Sequence, residues 1–430
     1  MPEKTTRKTS ANSGLPPSQT GKDESATRPG TQAKGSAGQA QRAGNTRTVE
    51  TSQTLEVRTC ACCGEDLSDV AAAGHERRTR IDIVFEKTVE HVDAQIKTCP
   101  SCEGTTKAPF ASDLKGPVQY GLGIKAYVLN LLVTRMISLN RAATLMHAMI
   151  GQLMSEATFL RYVLELHVAL ERWEQETIKA LLASPVIHLD ETSMRVDGKN
   201  QWVHVVSAGD RVLKRVHPNR GLAAMQAHDL IPRYGGIKVH DCWASYLSFE
   251  GSGSALCGSH LLRELVFIQE SNGYAWAGNL RRLLQQACHT VSGRESKCLT
   301  DAEYATLQRR YRNVLTRGEK QMPSIPVRQG GRRGRIAKSD AHNLHERLRR
   351  HETAVLLFAR RAEVPFTNNR AERDLRMGKV KLKVSGTFRK ARYAQAYCRI
   401  SSYLQSMAYQ GVNPLVAIQS ALNGQLYAKG

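Results

Sequence analysis

Acidic side chains and aromatic rings are both scarce in this chain. Asp and Glu number 39 against 61 Lys and Arg, a formal net charge of +22. An excess of that size points to a polyanionic partner, and nucleic acid is the leading class. Phe, Trp and Tyr make up only 6% of the residues, which argues against a membrane-surface protein, whose amphipathic helices rely on aromatic anchors. Long uninterrupted apolar runs are missing too. The most apolar window, Tyr120 to Leu139, contains Lys125 and Arg135, so it predicts a buried core helix and no membrane span. The first fifty residues are rich in Ser, Thr, Gly, Lys and Gln and have no apolar stretch of the secretory kind, so a cytoplasmic protein is expected. Ten cysteines in that compartment do not build a disulfide framework, which leaves metal binding or plain burial.

What is present falls into blocks. Residues 1–54 have too few apolar side chains to offset the entropy of ordering and read as a disordered basic tail. A cysteine-bounded module, 55–110, precedes a helical stretch, 111–183, in which Leu160, Val163, Leu164, His167 and Val168 share one helix face. Between 184 and 256 the period changes to two. "PVIHLDE", "QWVHVVSA" and "RVLKRVHP" are β-branched runs separated by the turn pairs Asp197-Gly198 and Gly209-Asp210, as hairpins require. A helix, "RGLAAMQAHDLIPRY", and a further strand, "GGIKVHDCW", complete an order in which the first and last strands each end in an aspartate, Asp190 and Asp241. Residues 257–361 return to helical patterns around an exposed basic run, "RQGGRRGRIAKS"; 362–410 hold a helix starting near Asn369, and 411–430 read as a C-terminal tail. The fold class is α/β.

Cys60 and Cys63 form one C-x-x-C and Cys99 and Cys102 another, four thiolates in all, which suits tetrahedral Zn²⁺. Gly64 and Gly104 would let each turn bring backbone amides to sulfur, and "TRIDIVFEKTVEHV" between the pairs is strand-like, as in a zinc ribbon. Cys62 is an extra thiol, passed over because C-x-x-C fits a zinc knuckle and C-C does not. Cys257 and His260, in "CGSHLLREL", have the spacing of half a metal site with no second half in the sequence. A buried thiol beside a histidine bonded at a helix start is the plainer reading; a role in positioning nearby acids is the other.

If Asp190 and Asp241 end neighbouring strands of one sheet, their carboxylates repel, and a divalent cation is the usual remedy. Hard oxygen donors select Mg²⁺ or Mn²⁺ over zinc. Glu191, Glu264 and Glu372 are the candidates for a third acid. Glu191 follows Asp190 along a strand and so points to the opposite face. Glu264 is open to pairing with a neighbouring Arg or Lys. Glu372 stands among Arg370, Arg373, Arg376, Lys379 and Lys381, a setting suited to phosphates. Asn369-x-x-Glu372 also has capping-box spacing, so both cap and ligand are open to it.

With these residues in view, the order of blocks resembles the RNase H-like core of DDE transposases and integrases. "HLDET" (188–192), "HDCWASY" (240–246), "CGSHLLREL" (257–265) and "TNNRAERDLR" (367–376) are similar to the blocks of the insertion sequence 66 family of bacterial transposases. The cysteine module resembles that family's zinc-binding segment, so the likeness runs over roughly residues 55–410. It implies an RNase H-like catalytic core at 184–256 and 362–410, a helical insertion domain at 257–361, and a helical DNA-binding or linker region at 111–183. It further implies Asp190, Asp241 and Glu372 as the metal-binding catalytic acids, with His188, Cys257 and His260 in support. Arg332, Arg333, Arg335, Arg373, Arg376, Lys379 and Lys381 would then face DNA. The implied cofactors are Mg²⁺ (or Mn²⁺) and Zn²⁺. The implied partners are double-stranded DNA, as terminal inverted repeats and target, with a homo-oligomer on DNA, accessory transposition proteins, a nucleoid-associated location and no membrane. The implied chemistry is strand cleavage and strand transfer by two-metal phosphoryl transfer. Leu189 and Cys242 stand where family members usually have Ala and Gly. Two rival readings share these residues. A catalytically decayed, zinc-containing DNA-binding relative would show a broken acid triad, and another RNase H-like nuclease leaves the four ordered motifs unexplained.

Overall fold

The computed structural model describes residues 51–82, 86–325 and 338–426. The expected disordered tail falls outside these up to residue 50, as do Arg332, Arg333 and Arg335 of the basic run. In the cysteine module, β1 (Ile96–Thr98) and β2 (Thr105–Lys107) pair antiparallel across the Cys99–Cys102 turn. The expected strand over "TRIDIVFEKTVEHV" does not form in its described part: 79–82 and 86–92 are exposed and take no strand conformation, because the alternating pattern finds no neighbouring edge.

Four helices follow: α1 (Leu122–Leu129), continued by a π-type turn at Asn130–Thr134, α2 (Leu139–Ile150), α3 (Glu156–Ala169) and α4 (Glu171–Leu182). The apolar window beginning at Tyr120 buries Ala126, Val128, Leu129, Leu131 and Leu132 in the protein core, and among the described residues no helix is long and apolar enough to cross a membrane. The α3 helix starts at Ser155, whose Oγ accepts the Thr158 amide at 3.2 Å. It buries Phe159, Tyr162, Val163 and Leu166, a face rotated from the expected one, and Val168 is 61% exposed. The two aromatic rings bury more apolar area than the branched aliphatics and so decide which side turns inward.

The sheet comes next, built from β3 (Val186–Val196), β4 (Lys199–Ala208) and β5 (Arg211–His217), then α5 (Leu222–His228), β6 (Ile237–His240), α6 (Ala244–Leu247) and β7 (Gly253–Leu256). Its strand order is β5-β4-β3-β6-β7, with β4 antiparallel to both neighbours and β3, β6 and β7 mutually parallel. Asp197 (φ 51°) and Gly198 (φ 68°) both take the left-handed conformation that a two-residue hairpin turn needs. Asp190 does not end its strand, contrary to expectation. The β3 strand continues to Val196 as a hairpin arm, and what stops at this level is its pairing with β6, last made at His188↔Val239. Carried on by two residues, that register brings Asp190 level with Asp241, just beyond the end of β6.

A run of helices then leaves the sheet: α7 (Gly258–Asn272), α8 (Ala275–Gly293), α9 (Asp301–Glu319), α10 (Asp340–Arg350) and α11 (Glu352–Leu356). They close around Leu265, Trp276, Leu280, Tyr311 and Leu348 and meet the sheet at Val239 and Leu256. The chain returns with α12 (Asn369–Ser385), α13 (Ala391–Tyr409) and α14 (Pro414–Leu422).

Strand alternation assigns the sheet's two faces. Ile187 and Leu189 pack with Leu181, Met225 and Tyr246 on one side. Met194, Val196, Val203 and Val205 pack on the other with α12 to α14 and with residues of α1 to α3. The helical stretch 111–183 therefore shares its core with the sheet and does not stand apart. Residues 414–422, expected within a tail, form a helix whose Ala417, Ile418 and Ala421 are fully buried in the same core, and Tyr403 donates its hydroxyl to Ala417 O at 2.9 Å.

Candidate catalytic centre

Asp190 lies on the sheet face that α12 covers, and His188 lies two residues earlier on that face. Asn368, the residue before α12, ties the two elements together. Its Nδ2 donates to Leu189 O at 2.7 Å and its Oδ1 accepts from His188 Nδ1 at 3.0 Å, which puts the imidazole proton on Nδ1. The Asn368 amide donates to Cys257 Sγ at 3.1 Å, so the start of α7 joins the same clamp. His188 is mostly buried, and burial lowers its pKa, keeping it a neutral orienting group. Asn368 itself is only 2% exposed and was not singled out from sequence. The capping-box spacing in the sequence belongs to its neighbour Asn369, and the reach of Asn368 across to β3 went unread.

Burial pushes the Asp190 carboxyl up to about 7, assisted by the negative charges of Glu191, Asp241 and Glu372 and partly offset by the Glu191 amide, which donates to Oδ1 at 2.8 Å. Three acids from three elements thus reach one another electrostatically: Asp190 from β3, Asp241 from the end of β6 and Glu372 from the first turn of α12. Asp241 Oδ1 accepts the Trp243 amide at 3.3 Å. Among the described residues, no ion pair joins Asp190 or Asp241 to a Lys or Arg.

The other two candidate acids are committed elsewhere. Glu191 points to the opposite face, as strand alternation requires. There its carboxylate meets the Tyr246 hydroxyl and pairs with Arg220 at 2.6 Å. The Arg220 guanidinium is stacked between Trp243 (4.2 Å) and Trp202 (4.9 Å), a favourable cation–π setting. Glu264 pairs with Arg347 of α10.

Glu372 is not engaged as a cap. The helix begins at Asn369, one residue earlier than a capping box with Asn369 as its cap needs, and Asn368 spends its side chain on β3. Glu372 Oε1 has no hydrogen-bond partner and stands 3.7 Å from His260 Nδ1 and 3.9 Å from Arg263. Cys257 Sγ, the His260 imidazole and the Glu372 carboxylate form a group whose donor atoms all lie within 4.8 Å of one another.

Along α12 the buried positions among those described are Ala371, Asp374, Leu375 and Gly378, so the outward stripe holds Glu372, Arg376, Lys379 and Lys383 at helical spacing. Arg373 is exposed beside it. Lys381 departs from the expected basic surface: it is half-buried, with its ammonium 5.9 Å from the Phe388 ring, and burial lowers its pKa. Lys383 belongs to the stripe and was missed.

The two cysteine turns have the same backbone. Cys60 N donates to Glu65 O and Cys60 O accepts Gly64 N; Cys99 N donates to Gly104 O and Cys99 O accepts Glu103 N, all at 2.9–3.0 Å. The backbone amides of Cys63 and Cys62 hold the Cys60 thiol below its ordinary pKa, and those of Ser101 and Cys102 do the same for Cys99. The left-handed residue is Gly64 in the first turn but Glu103, not Gly104, in the second. A Cβ at Gly104 would lie 3.3 Å from Cys102 Sγ, a tight contact against an exposed thiol. The four thiols do not converge as one group with all donor atoms within 4.8 Å of each other.

A family model described as "Transposase IS66 family" matches residues 117–396, more than half of the chain. No curated protein matches the sequence.

Proposed function

The chain belongs to the IS66 family of transposases, and from that premise we propose that it cuts and joins DNA strands at a centre formed by Asp190, Asp241 and Glu372. The observation that carries this reading is the β3–β6 register, which brings Asp190 level with Asp241 on the sheet face where α12 presents Glu372. The strand order β5-β4-β3-β6-β7, with one antiparallel strand second from the edge, supports an RNase H-like core. The helices between Asp241 and Glu372, α7 to α11, are then its insertion domain.

The donor set fits a hard divalent cation. Three carboxylates come within electrostatic reach of one another, although their oxygens do not all lie within 4.8 Å of each other and must close to share an ion, and no Lys or Arg is paired to Asp190 or Asp241 among the described residues. Mg²⁺ or Mn²⁺ held by Asp190, Asp241 and Glu372 would supply Lewis-acid activation of a phosphodiester and of the attacking water or 3′-hydroxyl. The chain's own residues do the rest. Asn368 and His188 hold α12 against β3, so that Glu372 keeps its place relative to Asp190. Arg373, Arg376 and Lys379, joined by Lys383, bind backbone phosphates along α12 next to the acids and position the strand without reading its sequence. Arg332, Arg333 and Arg335, which lie outside the described residues, would add further phosphate contacts. Cys60, Cys63, Cys99 and Cys102 bind Zn²⁺: their two matching turns with amide-supported sulfurs are the support for this, and the pairs must close on each other to share one ion.

The test is cleavage of DNA carrying the element's end by purified protein with Mg²⁺. Asp190→Asn, Asp241→Asn and Glu372→Gln are each expected to bind that DNA without nicking it. Full cleavage by any one of these variants removes that residue from the centre.

A further inference from the structure

We propose that Cys257, His260 and Glu372 form a transition-metal site, with Zn²⁺ the fitting ion, whose chemistry differs from that of the acid pair Asp190 and Asp241. The Cys257 thiol sits at the cap position of α7 and His260 follows within the first turn, while Glu372 comes from the first turn of α12. All three donors lie within 4.8 Å of one another, and His260 Nδ1 and Glu372 Oε1 are 3.7 Å apart. Both of these atoms are buried and neither has a hydrogen-bond partner. The Cys257 thiol also meets the His260 imidazole, and Arg263 stands 3.9 Å from the same Glu372 oxygen, outside hydrogen-bond range, so the three donors converge with two of their atoms still lacking a hydrogen bond, as ligands of one ion would.

The backbone around them is braced. Gly258 N donates to Phe366 O at 2.7 Å and Asn368 N to Cys257 Sγ at 3.1 Å, so the starts of α7 and α12 are fixed to each other. Donors around a tetrahedral ion stand roughly 3.4 Å apart, from metal–ligand distances of about 2.0–2.3 Å. Closing from the observed spacing needs side-chain rotation and no movement of either helix. Thiolate and imidazole select zinc over Mg²⁺ or Mn²⁺, and three protein ligands leave a fourth position open to water or an anion. The site stands on its donors alone and does not rest on the strand-transfer reading. Where that reading also holds, Glu372 is shared, and zinc here withdraws it from the acid pair.

The test uses the full-length chain freed of metal and titrated with Co²⁺, whose thiolate charge-transfer absorption reports sulfur ligation. Wild type is expected to bind one more equivalent than Cys257→Ser and to show that absorption in the difference spectrum, where any signal from Cys60, Cys63, Cys99 and Cys102 cancels. His260→Asn and Glu372→Gln should each weaken this equivalent by at least the ~10-fold that even an outer-shell change costs. Asp190→Asn, which leaves the donor set whole, should keep the band. Cys257 is buried, so circular dichroism accompanies each variant, and the half-exposed His260→Asn decides the outcome if Cys257→Ser fails to fold. Equal stoichiometry and equal thiolate absorption in wild type and His260→Asn overturn the site. So does loss of the band in Asp190→Asn with its retention in Cys257→Ser. No DNA is present, so failure of the cleavage reading leaves this result intact.

Discussion

At the scale of the residue, Asp190 carries the clearest electrostatic signature. Its folded pKa is raised to about 7 by burial and neighbouring carboxylates, against an ordinary value of 3.8. Between about pH 4 and 7 the folded chain therefore keeps a proton that the unfolded chain has released, and stability falls as pH rises through that window. Asp190→Asn removes the penalty. In metal-free protein at pH 8 the variant is expected to be more stable than wild type by up to a few kcal/mol, since each tenfold change in proton affinity is worth about 1.4 kcal/mol, and close to equal at pH 4. Thermal unfolding at the two pH values measures this, and parallel pH profiles would show that the fold does not raise this carboxyl. This residue was legible from sequence because an acid closing an apolar alternation is conspicuous. Asn368 was not, because a polar residue before a helix reads as a cap whatever its side chain reaches across to touch. Asn368→Ala strands the Leu189 carbonyl and the His188 imidazole, and a loss of about 2 kcal/mol is expected in denaturant unfolding.

Among the elements, the three-strand meander, its Asp-Gly turn and the β6 strand were legible, since a period of two and left-handed turn residues are local properties. The β7 strand was not: "GSAL" is four small or short residues with no alternation, and only the β6 edge beside it makes it a strand. The α7–α12 junction was equally hidden, because it depends on Phe366 lying against Gly258. A Cβ at Gly258 would meet the Phe366 ring at 2.3 Å. Gly258→Ala is expected to cost about 1–3 kcal/mol as an overpacked contact, and less in a Phe366→Leu background. Equal losses in both backgrounds, read from thermal melts, would mean that the ring does not set the spacing of these two helices. The α12 stripe carries a second expectation. Replacing Arg376, Lys379 or Lys383 by Ala should each flatten the salt dependence of DNA affinity by ~0.9 in log–log slope, while Lys381→Ala, half-buried over Phe388, should leave it nearly unchanged.

Over the whole molecule, what sequence blocks could not convey is that the helical stretch before the sheet and the helices after it close one core. Glu174 of α4 is the polar link that spans them: it pairs with Arg215 of β5 at 2.9 Å and with Arg399 of α13. Burial alone would raise this carboxyl, but Arg399 and then Arg215 outweigh it and hold the pKa below the usual range. A depressed acid contributes stability above its unfolded pKa and loses it as pH falls through the lower folded value. Glu174→Gln keeps the shape but leaves the largely buried Arg215 without its counter-charge and Arg399 with only the more exposed Glu171 at 3.5 Å, a change expected to cost about 3 kcal/mol at pH 7 and much less at the acid end of the window. If one core is shared, urea unfolding of 51–426 remains a single transition in wild type and variant alike, moved to lower urea in the variant with an unchanged slope. A variant in which α1 to α4 melt first, as a separate early transition, would mean that the helical stretch is a domain of its own, held to the sheet chiefly by this ion pair.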